Sequence, residues 1–193
     1  LDKYTWGPIP KMLDTPEKVK KQRQYYLNAR SEKVLEKGTM WNAIRHQRCL
    51  IAATGYFEHR EVAGLKRKVP YHIHVKGRKV FFIAGLFAYS NSWDVDKPAR
   101  IPTFTLITRS ANEILGKIHN SGEFKERMPL ILPAALEREW LNPNLTDQDI
   151  HQILQYQLPA DQIEYDTVNP IRVAKPDDER VLAHVDYEGV GAL

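Results

Sequence analysis

Three short segments of the 193-residue chain carry polar groups able to take part in covalent chemistry. They are Asn28-Ala29-Arg30-Ser31-Glu32, Gly55-Tyr56-Phe57-Glu58, and Ile118-His119-Asn120 with the nearby Arg127-Met128-Pro129. Each falls at a strand end or a turn, where a rigid scaffold can present a side chain. Glu58 follows two aromatic residues, and a carboxyl held among apolar groups has its charged form disfavoured, so it can pass a proton near neutral pH. A histidine titrates in that range unaided, so His119 can do the same. Taken singly, each group also has a structural reading: Asn28 as a helix cap, Glu58 as a surface strand residue, His119 as a satisfied histidine at a helix end. Cys49, the single cysteine, lies in the strand-like Arg48-Cys49-Leu50-Ile51 and reads as a small buried hydrophobe rather than a nucleophile.

The elements that must position these groups are legible in outline. Asp14-Thr15-Pro16-Glu17 is a helix start, with a capping side chain, proline in the first turn and an acid at the positive dipole end; a basic helix follows to about Tyr26. Thr39 caps a second short helix through His46. Strand-like segments run from Cys49 to Thr54, Tyr56 to His59, Tyr71 to Val75, Val80 to Phe87 and Thr103 to Thr108, an antiparallel meander. Period two in Tyr71-His72-Ile73-His74-Val75 turns both histidines to the face opposite the core. A His-x-His pair can ligate zinc, but no cysteine or acidic cluster at metal spacing accompanies it, so no metal is expected. Helical patterns return at Ser110 to Ile118, Pro133 to Leu141 and Thr146 to Tyr156. The expected fold is α+β, a single domain over residues 1–193 with a mainly antiparallel, barrel-like β core flanked by helices.

Composition narrows the function. Apolar residues make up 42% and charged residues 27%, ordinary for a folded soluble protein. The longest apolar stretch, Val80 to Tyr89, is too short to span a bilayer, so no membrane segment is expected. One cysteine excludes an internal disulfide and fits a reducing cytoplasm. No glycine-rich phosphate loop is present, which argues against dinucleotide and P-loop enzymes; no cofactor is expected. The net charge of +4 conceals an asymmetry: residues 1–80 hold 18 Lys+Arg against 7 Asp+Glu, and residues 81–193 hold 10 against 17. A basic half suits a phosphate backbone, and equally a solvated basic face.

The chemically capable segments, preceded by Trp6-Gly7-Pro8-Ile9-Pro10, stand in an order that resembles the SOS response-associated peptidase (SRAP) family. Its pattern runs W-G-x-x-P, N-A-R-x-E, R-C-x-x-P-x-x-G-F/Y-x-E-W and I-H-x-R-M-P. The resemblance extends from Trp6 through about Trp140. It implies binding of single-stranded DNA and covalent reaction with the ring-opened aldehyde of an abasic site, through a cysteine exposed by removal of the initiator methionine. A terminal amine and the adjacent thiol close a thiazolidine ring on that aldehyde. By resemblance, Asn28 holds the nucleophile's terminus or the linked sugar, Glu58 is the acid/base, and His119 moves a proton at the sugar oxygen. Arg30 and Arg127 clamp phosphates, for which guanidinium forks are suited, and Trp6 offers a stacking or wedge surface to an unpaired base. Two other readings follow: a non-catalytic single-stranded-DNA-binding module of the same fold, and a peptidase, of which only self-cleavage at the terminus is implied.

The sequence departs from the pattern in three places. Leu1 is not a methionine, and the N-terminal cysteine and the segment before W-G-x-x-P are missing, so an upstream segment is expected and the chain as written is expected to be inactive without it. His119 and Arg127 are separated by Asn120 to Glu126, where the pattern has one residue, which puts Arg127's phosphate role in question. His59 stands where the family has tryptophan.

Overall fold

The structure, a computed structural model, describes residues 3–91, 100–171, 175, 178–191 and 193. In chain order the elements are β1 (Thr5–Trp6), α1 (Pro16–Gln22), β2 (Asn28–Arg30), α2 (Ser31–Val34), α3 (Met40–Ala43), β3 (Arg48–Ala53) and β4 (Tyr56–Arg60). There follow β5 (Val69–Val75), β6 (Phe81–Asn91), β7 (Arg100–Ser110), α4 (Glu113–Ile118), β8 (Arg127–Pro129), β9 (Ile131–Leu132), α5 (Ala134–Trp140), α6 (Asp147–Leu154) and β10 (Ile163–Thr167). The chain divides into two compact units, one of residues 1–51, 82–109 and 129–156, the other of residues 52–81, 110–128 and 157–193.

Local chemistry sets the helix starts. Thr15 accepts from the Lys18 amide with Pro16 in the first turn, and Thr39 accepts from the Asn42 amide. Thr146 and Asp149 bond reciprocally in a capping box. The helix after Thr15 gives way at Arg23 to a 3-10 turn through Tyr26, and the one after Thr39 is only four residues long.

The first unit is built on a seven-stranded sheet with the order β1-β7-β6-β3, in which β2 and β8 also pair with β7, and β9 with β6. Its core gathers Ala29, Leu86, Ile107, Leu130, Leu132 and the fully buried Trp140, against which α6 turns Ile150, Ile153 and Leu154. Arg48, buried at the start of β3, closes the end of α5: its Nε donates to the Trp140 carbonyl at 2.8 Å, and another guanidinium nitrogen donates to the Asn142 carbonyl. This satisfies carbonyls left open at a helix C-terminus with a cation placed where the dipole favours one. The Trp140 indole returns a bond to the Cys49 carbonyl at 3.0 Å.

The second unit holds an antiparallel three-stranded sheet, β10-β5-β4. Tyr71, Ile73 and Val75 of β5 are buried, and α4 beside β4 buries Leu115 and Ile118. The expected single barrel-like meander is therefore corrected. The described strands form two sheets and no closed barrel, because β5 pairs with β4 and β10, while β6 and β7 pair in the other sheet. Nor is the larger sheet wholly antiparallel, since β1 and β2 run parallel to β7. No helix among the described residues is long and apolar enough to cross a membrane.

Candidate functional site

In the first unit, β1 and β2 lie in tandem along β7. Trp6 pairs with Phe104, Asn28 with Leu106 and Arg30 with Thr108. Alternation buries Ala29 completely and leaves Asn28 and Arg30 exposed on the outer face, the face that also carries Trp6. The Trp6 ring stacks on Phe104, 6.2 Å between centroids and 12° from parallel, while its indole N–H donates to the Leu27 carbonyl at 2.7 Å. Thr105 Oγ1 donates to the same carbonyl at 2.8 Å. Two donors thus hold the peptide that leads into Asn28. Arg23 fastens the turn after Trp6, donating to the carbonyls of Trp6 and Gly7 at 2.9 Å each. Gly7 has φ +93°, and a Cβ there would meet Leu27 Cδ2 at 2.8 Å, so the motif's glycine is required sterically.

In the second unit, Glu58 pairs with Tyr71 and Tyr56 with Ile73, so both lie on the face of β4 that follows the sheet's buried side. Burial raises the Glu58 carboxyl above the usual range; the charge of His119 and a hydrogen bond from the His59 backbone pull it back in part. His119 is the C-cap that follows α4, its backbone N–H bonding to the Leu115 carbonyl at 2.8 Å. Its Nδ1 lies 3.3 Å from the Arg127 amide nitrogen and 3.1 Å from the Arg127 carbonyl oxygen. Unprotonated, Nδ1 accepts from the amide; protonated, it donates to the carbonyl. The imidazole therefore has a backbone partner in either protonation state.

The seven-residue segment between His119 and Arg127, six residues longer than in the pattern, closes on itself. The Glu126 amide donates to the His119 carbonyl at 2.7 Å, and the Ala111 amide donates to the Glu126 carbonyl at 2.9 Å. Asn120 fixes the start of this loop to the residue that follows the strand of Glu58: its Oδ1 accepts from the Glu61 amide and its Nδ2 donates to the Glu61 carbonyl, both at 2.9 Å. The site residues expected from the sequence thus fall into two sets, Trp6, Asn28 and Arg30 in the first unit and Glu58, His119 and Arg127 in the second.

Sequence reasoning missed the roles of Asn120, Thr105 and the Leu27 carbonyl, which are contacts between residues distant in sequence. It also took Tyr56 only as an apolar wall. The Tyr56 hydroxyl is buried with no hydrogen-bond partner among the described residues, and burial and the neighbouring Glu58 charge both push its pKa up. Gly55 admits His72, whose Nε2 lies 2.1 Å from where a Cβ would stand, so no other residue fits before Tyr56 without moving that ring. Cys49 is half-buried, and burial pushes its thiol up to about 11.

His72 and His74 stack at 5.6 Å and face Asp166 and Glu164 of β10; His74 Nε2 meets Glu164 at 3.0 Å. Among the described residues no group of three or more His, Cys, Asp or Glu side chains is arranged to hold a metal.

The SOS response associated peptidase (SRAP) family model matches residues 1–175. This chain belongs to the SRAP family. Among its SRAP relatives, the abasic site processing protein YoqW of Bacillus subtilis is 34% identical over 164 residues, 85% of this chain and 67% of that protein. The abasic site processing protein YoaM of the same organism is also 34% identical over 164 residues, with 66% of its length covered. The chain thus spans about two thirds of the length of these relatives. A crystal structure of a Bacteroides thetaiotaomicron protein superposes with a TM-score of 0.82 at 30% identity, covering 94% of this chain and 75% of that one. The SRAP motif glycines Gly7 and Gly55 both stand where a larger residue would collide.

Proposed function

We propose that this protein processes abasic sites in single-stranded DNA, joining itself to the ring-opened sugar through a thiazolidine formed by an N-terminal cysteine upstream of Leu1. The observation that carries the proposal is the half-buried Glu58 carboxyl within the field of His119, whose own Nδ1 is supported in both protonation states. Such a pair suits a reaction that needs an acid and a base in turn. The family membership and the names of the relatives supply the substrate.

The steps balance without a co-reactant. The terminal amine adds to the aldehyde carbon, giving a carbinolamine; a proton delivered to its oxygen lets water leave and a C=N bond form. The thiol then adds across that bond, its proton passing to nitrogen, and the ring closes. Glu58, protonated more readily than an ordinary carboxyl, delivers and recovers the proton, and His119 serves the sugar oxygen. Asn28 orients the terminus or the sugar through its amide, and Arg30 and Arg127 take phosphates. Exposing the cysteine requires hydrolysis of the preceding peptide bond, the self-processing step of the same proposal.

Incubating the full-length protein, with its cysteine at the mature terminus, with an abasic single-stranded oligonucleotide should give a shifted band on a denaturing gel. Absence of that band while the abasic sites stay intact contradicts the proposal. A second reading, a non-covalent single-stranded-DNA module, is favoured by the placement of Trp6, Asn28 and Arg30 on one sheet face, which involves no cysteine. It predicts salt-sensitive binding with no covalent band under any condition.

A further inference from the structure

The outer face of the larger sheet continues beyond Trp6 and Asn28. Antiparallel pairing sets Phe87 opposite Phe104 and Tyr89 opposite Pro102, and paired residues share a face. Trp6, Phe104, Phe87 and Tyr89 are therefore on the side that carries Asn28 and Arg30. The rings form two groups on neighbouring strands, Trp6 stacked on Phe104, and Phe87 edge-on to Tyr4 at 6.3 Å and to Tyr89 at 6.4 Å, with Phe87 and Phe104 paired across the strands. They are not core residues, Trp6 being 47% and Tyr89 51% exposed.

Beside the start of β3, a groove of about 390 Å³ opens against this row, lined by Ile44, Gln47, Phe87, Ala88, Tyr89 and Arg100. Arg100 sits at its end, its guanidinium 5.9 Å from the Tyr89 ring centroid and donating to the Tyr89 carbonyl at 3.2 Å. Among the described residues one of its five N–H donors is so engaged, and the fork can offer further donors to an anion. By strand geometry Tyr89 lies four residues along and two strands across from Asn28, roughly 16 Å away, beyond the reach of the nucleotide bearing a lesion.

We propose that this aromatic row and groove are a second nucleotide subsite, which stacks unpaired bases flanking the lesion on Phe87 and Tyr89 and takes a flanking phosphate on Arg100. Planar half-exposed rings beside a guanidinium are the combination that binds unpaired bases without reading sequence, because every base has a π face. An aliphatic protein interface needs neither the rings nor the cation. The charge fits as well, since the unit that carries this face, residues 1–51, 82–109 and 129–156, holds 15 Lys+Arg against 11 Asp+Glu. The inference rests on the function proposed above and adds where the undamaged strand runs.

The test compares two abasic oligonucleotides, one with long unpaired flanks and one trimmed to a single nucleotide on each side, by fluorescence anisotropy with the full-length protein. Wild type should bind the long one more tightly, and Tyr89→Ala should erase about tenfold of that advantage. Tyr89→Trp should restore it and Tyr89→Leu should not, since stacking rather than apolar bulk is at stake. Arg100→Gln should lower the salt slope for the long oligonucleotide by about one. Trimming one flank at a time identifies the side that Tyr89 serves.

The subsite is overturned if Tyr89→Ala binds both oligonucleotides with wild-type ratio, if Leu restores as well as Trp, or if the wild type dimerises without DNA and Tyr89→Ala does not. Wild-type protein that crosslinks normally while these variants match it removes the subsite alone. Wild type that neither binds nor crosslinks removes the parent proposal with it.

Discussion

The Arg127 amide donates to His119 Nδ1 at 3.3 Å although Asn120 to Glu126 intervene in the sequence. The insertion that distinguishes this chain from the family pattern leaves the two motif residues in hydrogen-bond contact, because Glu126 is bonded both to His119 and to Ala111 and returns the chain to its starting point. Asn120, the first residue of that segment, ties the loop to Glu61, three positions after Glu58.

Asn120→Ala removes both of those bonds and so loosens the placement of His119 relative to β4. The crosslinking rate of the full-length protein should fall by about tenfold or more, the scale expected for a small misplacement of a reacting group. DNA affinity in anisotropy titrations should stay at the wild-type value. Equal losses of rate and affinity would assign Asn120 to folding alone.

Glu58→Gln should stabilise the fold at neutral pH. The Glu58 pKa is raised in the folded state, so the folded protein holds this proton more tightly than the unfolded chain. Its favourable contribution is complete below the ordinary carboxylate range and is lost as pH rises through the raised folded value. The gain in Tm of the glutamine variant should therefore be largest at neutral pH and vanish towards pH 4. A gain independent of pH would show that charge burial is not its source.

Arg48→Lys should destabilise the first unit by about 2 kcal/mol, because an ammonium cannot serve the Trp140 and Asn142 carbonyls together, and a buried acceptor left unmade costs about 1–3 kcal/mol. Urea denaturation checks it. An unchanged midpoint would remove Arg48 from the account of how α5 is fixed.

Cys49 should be slow to alkylate. With its thiol raised to about 11, roughly one molecule in a thousand carries the thiolate at pH 8. Iodoacetamide labelling of the native chain should be much slower than of the urea-unfolded chain, and Cys49→Ala should leave crosslinking by the full-length protein intact. Loss of crosslinking in that variant would make Cys49 a participant.

Much of this architecture is legible in the sequence where the signal is local. The period-two run Tyr71 to Val75 is a strand with both histidines turned from the core, and the capping threonines Thr15, Thr39 and Thr146 each open a helix. What escaped depends on distant partners. Asn28–Arg30 is a strand only because β7 pairs with it, and Ile163–Thr167 only because β5 does. The division of the strands into two sheets is decided by pairing, which strand patterns alone do not encode. For the site, residue types pointed to Glu58 and His119, whereas the Arg127 backbone under His119 and the Asn120 clamp come from chain folding back on itself.

The most direct test is the pH dependence of the crosslinking rate, measured with full-length wild type and with Glu58→Gln on the same abasic oligonucleotide. A wild-type profile that changes through the ionisation of a carboxyl raised above the ordinary range, and a glutamine variant that is slower and has lost that change, are expected. Superimposable profiles, or a variant as fast as wild type, would contradict Glu58 as the group that moves the proton.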